Sequence, residues 1–576
     1  MTQVHGEPDV RVPLMVGAIG HRDLVAEECD DLRRRVAHFL TALQRKYPEL
    51  RVTVLTSLAE GADRLVADVT KSLGVPIIYV LPMPTALFEQ DFEGESLDEY
   101  RRLANGSTVL TLPLVGGSTA DDVRGPGPAR DMQYAVLGTF IAAHCHILLA
   151  LWDGIDSSAV GGTASVIHYH QDDFMPGLSD GEPRTRLDDT DDESDLVYQI
   201  VCSRRGAESA QPLAQRPGEV WWLSRNAEVP RTAEMPPRYE IVLRRMVEFS
   251  LDRKRHRALI ERAPPALVPP DADVDIDNGA RTIAELFTVA DCLAVHYQRL
   301  TLNALRWLCA FAAAASVSFV AYGDFAEHQQ MIYPYLAFMA AMLGVNRIAQ
   351  RGDWQRRYVD YRVLAEALRV QFYWALAHVE RPAPSRFGHD SFLKRQDLEL
   401  GWIRNMLRVT GLADDAVGRA ASAAGIAIAA RDWVGDSGHG QLHYYSSRWP
   451  LKLRRHRVTE ILGTSGLAVG LLLAGWLACI ELWSGRQPDN VWIALMGLLP
   501  IGAAIRQWYE HRTGDQELIR QFRFMDRIFA NARRQLSLTM EPREQQRILR
   551  ELGDAAMGEH GQWILRLRER PISTVG

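Results

Sequence analysis

The chain has 576 residues, too many for a single ordinary domain, and 47% of them are hydrophobic, which is enough to build a large buried core. Its formal net charge of −7 argues against a general nucleic-acid-binding protein. The six cysteines form no Cys-x-x-Cys pair, so the sequence predicts neither a zinc ribbon nor a disulfide framework and fits a reducing compartment. The first residues carry no basic segment followed by an apolar one, so no cleaved signal peptide is expected.

The N-terminal part of the chain alternates between short apolar runs and amphipathic stretches. The runs 12–19, 52–55, 75–81 and 146–151 have the length and composition of buried strands. Apolar residues recur at helical spacing after the first two runs, and a further helix is predicted over 132–143. This alternation predicts right-handed βαβ units in a Rossmann-like α/β domain with a mostly parallel sheet.

Glycine-containing turns follow three of the predicted strands. They read Gly20-His21-Arg22, Glu60-Gly61-Ala62-Asp63 and Gly161-Gly162-Thr163. Ligands of open parallel sheets bind beyond the carboxyl ends of the strands, where glycine lets backbone N–H groups approach and a helix N-terminus favours negative charge. Arg22 offers a cationic fork for phosphate, and Asp63 either caps its helix or accepts hydrogen bonds from ribose hydroxyls. The three turns together predict a site for one anionic small molecule.

Five motifs in this order resemble a SLOG domain. They are GHR at 20–22, SLAEGADRLVA at 57–67, LPMPTALFEQDF at 81–92, MQYAVLGTFIAAHCHILLALWDG at 132–154 and GGTA at 161–164. SLOG domains are Rossmann-like relatives of the LOG (lysine decarboxylase-like) proteins and of the DNA-processing protein DprA. The resemblance implies that residues 1–175 sense or process a nucleotide-derived signal, as family members in bacterial conflict systems are thought to do beside effector domains.

The resemblance also implies a set of ligand contacts. They are Gly20, His21, Arg22, Ser57, Glu60, Gly61, Asp63, Asp153, Gly161, Gly162 and Thr163. The expected ligand is a nucleotide or a nucleotide-derived second messenger, with no resident cofactor or metal and no stable nucleic-acid partner.

A catalytic residue is not assigned. Catalytic LOG hydrolases resemble G-G-x-G-T-x-x-E, where the final Glu serves nucleotide cleavage, but here the turn reads GGTASV and no Glu follows closely. Binding without turnover is therefore preferred. The alternative is a membrane-anchored enzyme that hydrolyses a nucleotide N-glycosidic bond, with Glu60 acting as acid or base.

Two His-x-His pairs raise the question of a metal site. Alternation on a strand would place His144 with His146, and His168 with His170, on one face. A metal would need further carboxylates or thiolates nearby, so core-edge and solvated histidines are the preferred interpretation. Beyond these pairs, 176–275 is acidic and interrupted by proline, which predicts an irregular linker or insertion.

Four uncharged apolar runs follow, at 307–322, 329–346, 461–480 and 491–505. Spanning a bilayer takes about 20 apolar residues, a length that the third run reaches, while Pro334 and Pro500 interrupt the second and fourth. Alanine-rich soluble core helices are the alternative. Arginines flank the runs on one side, which predicts two hairpins in the inner (cytoplasmic) membrane of a multi-pass protein with both termini in the cytoplasm.

The two hairpins look like repeats. Trp354 and Trp508, Leu364 and Leu518, and Arg369 and Arg523 recur at one spacing, and an amphipathic cytosolic helix follows each hairpin. A two-helix hairpin with such a helix resembles the SLATT domain, a membrane effector associated with SLOG. The first hairpin with its stalk is placed at 276–385, a connecting helical region at 386–445 and the second hairpin at 446–576. Small residues, including Gly466-x-x-x-Gly470, predict close helix packing, and the family resemblance implies homo-oligomers that form a pore.

Overall fold

The computed structural model describes residues 11–156, 160–172, 174–175, 177–178, 196–205, 216–224, 231–264, 267, 276, 278–324, 326–379, 400–415, 422–485 and 489–568. The chain divides into two compact units. Unit 1 comprises Met1–Arg262, Val268–Glu285 and His378–Ser422, and unit 2 comprises Ala263–Leu267, Leu286–Ala377 and Ala423–Gly576. Most of the acidic stretch of the predicted linker lies outside the described residues, as does the first part of the predicted connecting region.

Unit 1 is built on a mixed, mostly parallel sheet. Its strands are β1 (Val12–Gly20), β2 (Leu50–Thr56), β3 (Ile77–Leu81), β4 (Thr108–Thr111), β5 (Ile147–Trp152), β6 (Val197–Val201), β7 (Val220–Leu223) and β8 (Arg231–Thr232). They lie in the order β4-β3-β2-β1-β5-β6-β7-β8. Strands β1 to β6 pair in parallel, and β7 and β8 add antiparallel pairings at one edge. The predicted α/β fold with a mostly parallel sheet is confirmed.

Helices make up most of the rest of the described chain. They are α1 (Cys29–Lys46), α2 (Ala62–Ser72), α3 (Thr85–Phe88), α4 (Glu95–Ala104), α5 (Pro128–Ala143), α6 (Thr163–Asp172), α7 (Pro237–Arg255), α8 (Arg257–Ile260), α9 (Asn278–Asp324), α10 (Ile332–Arg351), α11 (Trp354–Ala377), α12 (Gly401–Asp415), α13 (Ala423–Ile428), α14 (Gly440–Ser484), α15 (Asn490–Thr513), α16 (Asp515–Leu538) and α17 (Pro542–Arg568).

The apolar periodicity predicts the buried faces of unit 1 well. Leu32, Val36 and Leu40 of α1 are buried, as the helical spacing requires. All residues of β5 are buried, which fits a central parallel strand covered on both faces.

The segment 176–275 differs from the prediction of an irregular linker. Its described parts contribute β6, β7 and β8 to the sheet and the helix α7, which buries Tyr239, Met246 and Phe249. Stacking of Tyr198 on Phe39 of α1, with ring centroids 4.1 Å apart, ties β6 into the core. The sequence did not predict these short strands because the acidic stretch between them makes the average composition of the segment polar.

Unit 2 is all-helical and holds the apolar runs. Among the described residues, four helical stretches are long and apolar enough to cross a membrane, namely Asn278–Asp324, His328–Ala377, Gly440–Trp483 and Asn490–Thr513. The helix α15 continues through Pro500, so this proline does not end the fourth run. The ring centroids of Phe311 and Phe338 lie 6.2 Å apart between α9 and α10, and those of Trp476 and Trp492 lie 5.8 Å apart between α14 and α15.

The internal repeat is looser than the sequence register predicts. Trp354 is the first residue of α11, after the bend that follows α10, whereas Trp508 lies inside α15, before the equivalent bend at Gly514. The two tryptophans therefore occupy different positions in their hairpins. The register fails because α15 extends further beyond its apolar run before the chain turns.

The contacts of the small residues in the second hairpin also differ from the predicted close packing. A Cβ added to Gly470 would lie 3.4 Å from Pro500 Cδ, but one added to Gly466 would meet nothing within 4 Å in the described chain. A Cβ on Gly463 would lie 2.2 Å from Arg506 Nη1. Within the described chain, close approach in this hairpin is thus found at Gly463 and Gly470, and Gly466 does not share the contact of Gly470.

Candidate functional site

The three glycine turns lie close to the topological switch point of the sheet, where the strand order reverses next to β1. Strands β2, β3 and β4 lie on one side of β1, and the chain then crosses over to β5 and β6 on its other side. Neighbouring β1 and β5 are parallel, with Gly20 in register with Leu151, so their carboxyl ends meet at one edge. A ligand of an open α/β sheet binds at such a switch point, outside the strand ends.

A histidine and an aspartate connect the first turn to the exit of β5. His21 Nε2 lies 3.1 Å from Asp153 Oδ1 and 3.2 Å from the Asp153 backbone nitrogen. Both side chains are buried. Burial lowers the pKa of His21, although the Asp153 carboxylate opposes that shift. His21 and Asp153 therefore position two turns against each other.

Backbone contacts join the first turn to the second. The Ala62 N–H at the start of α2 donates to His21 O at 3.0 Å. Gly61 has φ +79°, and a Cβ there would lie 2.3 Å from Arg22 O. A Cβ on Gly20 would lie 2.5 Å from Ala62 Cβ. These glycines are required because the two turns pass within van der Waals contact of each other.

The third turn reaches the same place through α5. A Cβ on Gly161 would lie 2.8 Å from the Ala135 backbone nitrogen, so this turn packs directly on α5. Arg22, an exposed residue, stacks its guanidinium 4.8 Å from the ring centroid of Tyr134, the preceding residue of α5. Gly162 O accepts from the Val166 N–H at 3.1 Å, so the turn opens directly into α6. Three turns and one aromatic ring thus form one cluster.

Asp63 is the buried acid of the cluster. Its carboxylate accepts a hydrogen bond from the Ser57 hydroxyl, and Ser57 Oγ in turn accepts from the Ala59 N–H at 3.1 Å. Burial raises the pKa of Asp63 to about 7, although the Ser57 hydrogen bond and the nearby charges of Arg22 and Arg64 oppose this shift. A carboxyl group that titrates near neutral pH is typical of functional sites.

The remaining acidic residue of the second turn is placed differently. Glu60 is exposed and accepts a hydrogen bond from the Ser96 hydroxyl of α4. Arg64, whose side chain is buried, donates to Leu58 O at 3.1 Å, to Ser96 O at 2.9 Å and to Glu99 Oε2 at 3.0 Å. Arg64, the arginine of the AEGADR motif, therefore connects α2 to α4 by hydrogen bonds and stabilises the second turn.

All of the sequence-predicted ligand contacts are described, and they lie in this cluster or next to it. Gly20, His21, Gly61, Asp153 and Gly161 serve mutual packing of the turns. Sequence reasoning missed Tyr134, whose hydroxyl donates to Asp91 Oδ2. Its signal was present in the MQYAVLG motif, which contains this tyrosine.

The histidines of the two His-x-His pairs lie on different elements and contact the protein itself. His146 is buried, accepts from the Met15 N–H at 3.1 Å and contacts Asn405 O at 3.0 Å, and burial lowers its pKa to about 3. His168 and His170 lie on α6, so strand alternation does not apply to them. In the part of the chain that the structure describes, no group of three or more His, Cys, Asp or Glu residues is arranged to hold a metal ion.

No family model, curated protein or solved structure matches this chain.

Proposed function

We propose that the protein is a membrane-associated sensor and effector, in which the SLOG-like part of unit 1 binds a nucleotide-derived signal and controls the apolar helices of unit 2. The observation that supports the sensor half is the convergence of three glycine turns at the switch point between β1 and β5. Backbone amides, a helix N-terminus and a cationic side chain at such a point are complementary to a phosphorylated small molecule.

Each part of the cluster has a role in this proposal. Arg22 holds a phosphate by charge-assisted hydrogen bonds, and the amides of Gly162 and Thr163 at the start of α6 receive a second anionic group. The ring of Tyr134, already in contact with Arg22, offers an apolar face to a base. Asp63 and Glu60 accept hydrogen bonds from ribose hydroxyls or from the base.

The effector half rests on the four long apolar helices. A ligand shifts a conformational equilibrium only if it binds one arrangement better than the other. We therefore propose that nucleotide binding favours one packing of the helices, which then assemble as homo-oligomers and permeabilise the inner membrane in bacterial defence. We propose that both termini lie in the cytoplasm, on the side of the arginines that flank the apolar runs.

A binding titration on the full chain in detergent tests the sensor half. The probes are nucleoside mono- and diphosphates and cyclic dinucleotides. Arg22→Ala is expected to weaken binding by roughly 10- to 100-fold, since a hydrogen bond to a charged group contributes about 1.5–3 kcal/mol. Arg33→Ala, which removes an exposed arginine from α1, is the matched control and is expected to bind as the wild type does. A wild-type chain that binds none of the probes would refute the proposal.

One observation favours a second function, that of a nucleotide-processing enzyme. Asp63 combines burial with a pKa of about 7, which suits a general acid or base near neutral pH. Incubation with nucleoside monophosphates and detection of the free base test this. Product formation that is lost in Asp63→Asn, and in Glu60→Gln if Glu60 is the acid, would favour the enzyme over the sensor.

A further inference from the structure

The helices of unit 2 carry exposed arginines at one end of the apolar bundle. They are Arg306 on α9, Arg347 and Arg351 on α10, and Arg454, Arg455 and Arg457 on α14. None of them forms an ion pair with a carboxylate anywhere in the described chain. We call this set the arginine collar.

Side-chain contacts place the collar at a single level. Leu305 of α9, Met342 and Val345 of α10, and Trp508 of α15 pack in one cluster. Thr459 Oγ1 of α14 donates to Glu510 Oε1 of α15 at 2.9 Å, which brings α14 to the same level. The collar arginines of α9, α10 and α14 lie next to these contacts along their helices, so they converge at one end of the bundle.

The opposite end of the bundle is acidic. Asp324, Glu481 and Asp489 lie there, and the Asn490 side chain donates to Asp324 O. From Arg457 to Glu481 the helix α14 rises about 36 Å at 1.5 Å per residue. Because a hydrocarbon core is roughly 30 Å thick, the collar falls at the depth of the lipid headgroups when these helices span a bilayer.

Apolar side chains stand between the collar arginines on α14. Leu451 is 65% exposed, Val458 49% and Leu462 64%. These three residues are spaced by seven and four positions, so they form one stripe on the helix, and Arg454 and Arg455 flank it. The stripe continues into the exposed surface of the apolar run, where Ile461 is 65% exposed. Cations beside an apolar stripe match an anionic headgroup joined to acyl chains, and a soluble anion would use only half of this surface.

Several other surface arginines of the protein differ from those of the collar, because they pair with carboxylates. Arg101 pairs with Glu89 at 2.8 Å, Arg257 with Glu261 at 2.6 Å and Arg547 with Glu544 at 2.5 Å. The protein thus supplies carboxylates to many of its exposed arginines, but supplies none to the collar within the described residues. The collar is therefore free of carboxylate partners among the described residues and open to an anionic surface outside the chain.

We propose that the arginine collar binds anionic phospholipid headgroups and makes the membrane-inserted protein selective for bilayers that contain them. The proposal rests on the membrane half of the proposed function. Each basic residue near an anionic surface contributes about a fivefold gain in affinity. Loss of the three α14 arginines is therefore expected to lower the preference for anionic lipid on the order of a hundredfold.

The test uses the full chain with vesicles of phosphatidylcholine alone and of phosphatidylcholine with phosphatidylglycerol. Flotation after a carbonate wash measures insertion, and displacement of a fluorescent phosphatidylglycerol from the detergent-solubilised protein measures lipid preference. The variant is Arg454→Gln/Arg455→Gln/Arg457→Gln. The control, Arg527→Gln/Arg533→Gln/Arg534→Gln, removes the same charge from α16, from its middle to near its C-terminal end.

The expected result is insertion of all three proteins, with the preference for phosphatidylglycerol lost only in the collar variant. A wild type that inserts but binds both lipids equally would overturn the collar proposal and leave the membrane assignment intact. The same holds if the control variant loses its preference for phosphatidylglycerol as much as the collar variant does. Failure of the wild type to insert into either vesicle would overturn both. Glycerol phosphate that displaces the fluorescent lipid as well as phosphatidylglycerol does would refute the lipid assignment.

Discussion

Two buried carboxylates, one in each unit, are treated in opposite ways. In unit 2, Glu366 of α11 forms ion pairs with Arg362 at 2.7 Å and Arg369 at 2.5 Å. In unit 1, Asp63 forms no ion pair among the described residues and is held by the Ser57 hydroxyl, and burial raises its pKa to about 7. The charge of Glu366 is compensated by arginines of its own fold, whereas Asp63 has no ion-pair partner among the described residues and lies beside the three turns of the candidate site. The difference separates a stabilising network from a candidate site.

The largest effect is expected from the glycine that lets two turns meet. Gly61→Ala would place a Cβ 2.3 Å from Arg22 O at φ +79°, so it is expected to destabilise unit 1 by more than about 4 kcal/mol. Gly74→Ala is the matched control, since Gly74 has φ +64° and nothing within 4 Å of an added Cβ in the described chain. Its cost is expected to be about 1–2 kcal/mol. Denaturant unfolding measures both, and equal losses would show that the turns are not in close contact.

The ionic network of unit 2 is expected to be nearly as sensitive. Glu366→Ala leaves Arg362 and Arg369 without their shared carboxylate, and breaking such a buried pair costs about 3–5 kcal/mol. Glu544→Ala removes an exposed partner of Arg547 and is expected to cost less than about 1 kcal/mol. Thermal unfolding of the detergent-solubilised protein compares the two variants. A similar shift in both would remove the contrast between a structural acid and a surface acid.

The pH dependence of stability isolates Asp63. Its pKa rises from an ordinary value of 3.8 to about 7 on folding, so the folded state binds one more proton than the unfolded state between these values. Stability is therefore expected to be highest below pH 4 as far as this group is concerned, and to fall by up to about 4 kcal/mol as the pH rises to 7. Unfolding free energies measured over this range should show the fall.

Two variants decide whether that slope belongs to Asp63. Asp63→Asn is expected to remove it, because the amide keeps the acceptor for Ser57 and does not titrate. Asp68→Asn removes a more exposed carboxylate from the same helix, one that lies 3.6 Å from Arg102, and is expected to keep the slope. An unchanged slope in Asp63→Asn would mean that the buried acid is ionised throughout.

The smallest effects are expected in the apolar hairpin of α14 and α15. Gly463→Ala would displace the Arg506 guanidinium, which pairs with Glu510 at 2.5 Å, and is expected to cost about 1 kcal/mol. Gly466→Ala meets nothing nearby in the described chain and is expected to change stability by less than about 0.5 kcal/mol. Thermal unfolding in detergent ranks them, and a larger loss in Gly466→Ala would indicate that this glycine packs against a second copy of the chain.

Hydrophobic periodicity was enough to predict the parallel strands β1, β2, β3 and β5 and the apolar helices, but not the parallel strands β4 and β6. The strands around Val16 and Leu149 and the buried face of α1 follow directly from residue type, because burial on one face has a fixed spacing. The antiparallel edge strands were not predicted, since β8 has only two residues and lies in a charged context. Short strands are selected by pairing partners that are distant in sequence, and local composition does not reveal them.

The sequence predicted which turns form the candidate site, but not which of their residues contact one another. Motif order placed the three turns at strand ends, and the sheet brings them together. That His21 binds Asp153, that Arg64 fastens α4 and that Tyr134 lies under Arg22 are tertiary contacts between residues far apart in the chain. A residue's type shows what it can do chemically, whereas its partners decide whether it holds the fold or faces a ligand.

Hydrogen exchange on the full chain tests the central claim most directly. It compares backbone amide protection with and without the nucleotide that binds most tightly in the titration. The account predicts simultaneous slowing of exchange in residues 20–22, 61–63 and 161–163, with a smaller effect in Arg22→Ala. Protection of only one turn, or of a region away from all three, would contradict the claim that these turns form a single site for an anionic molecule.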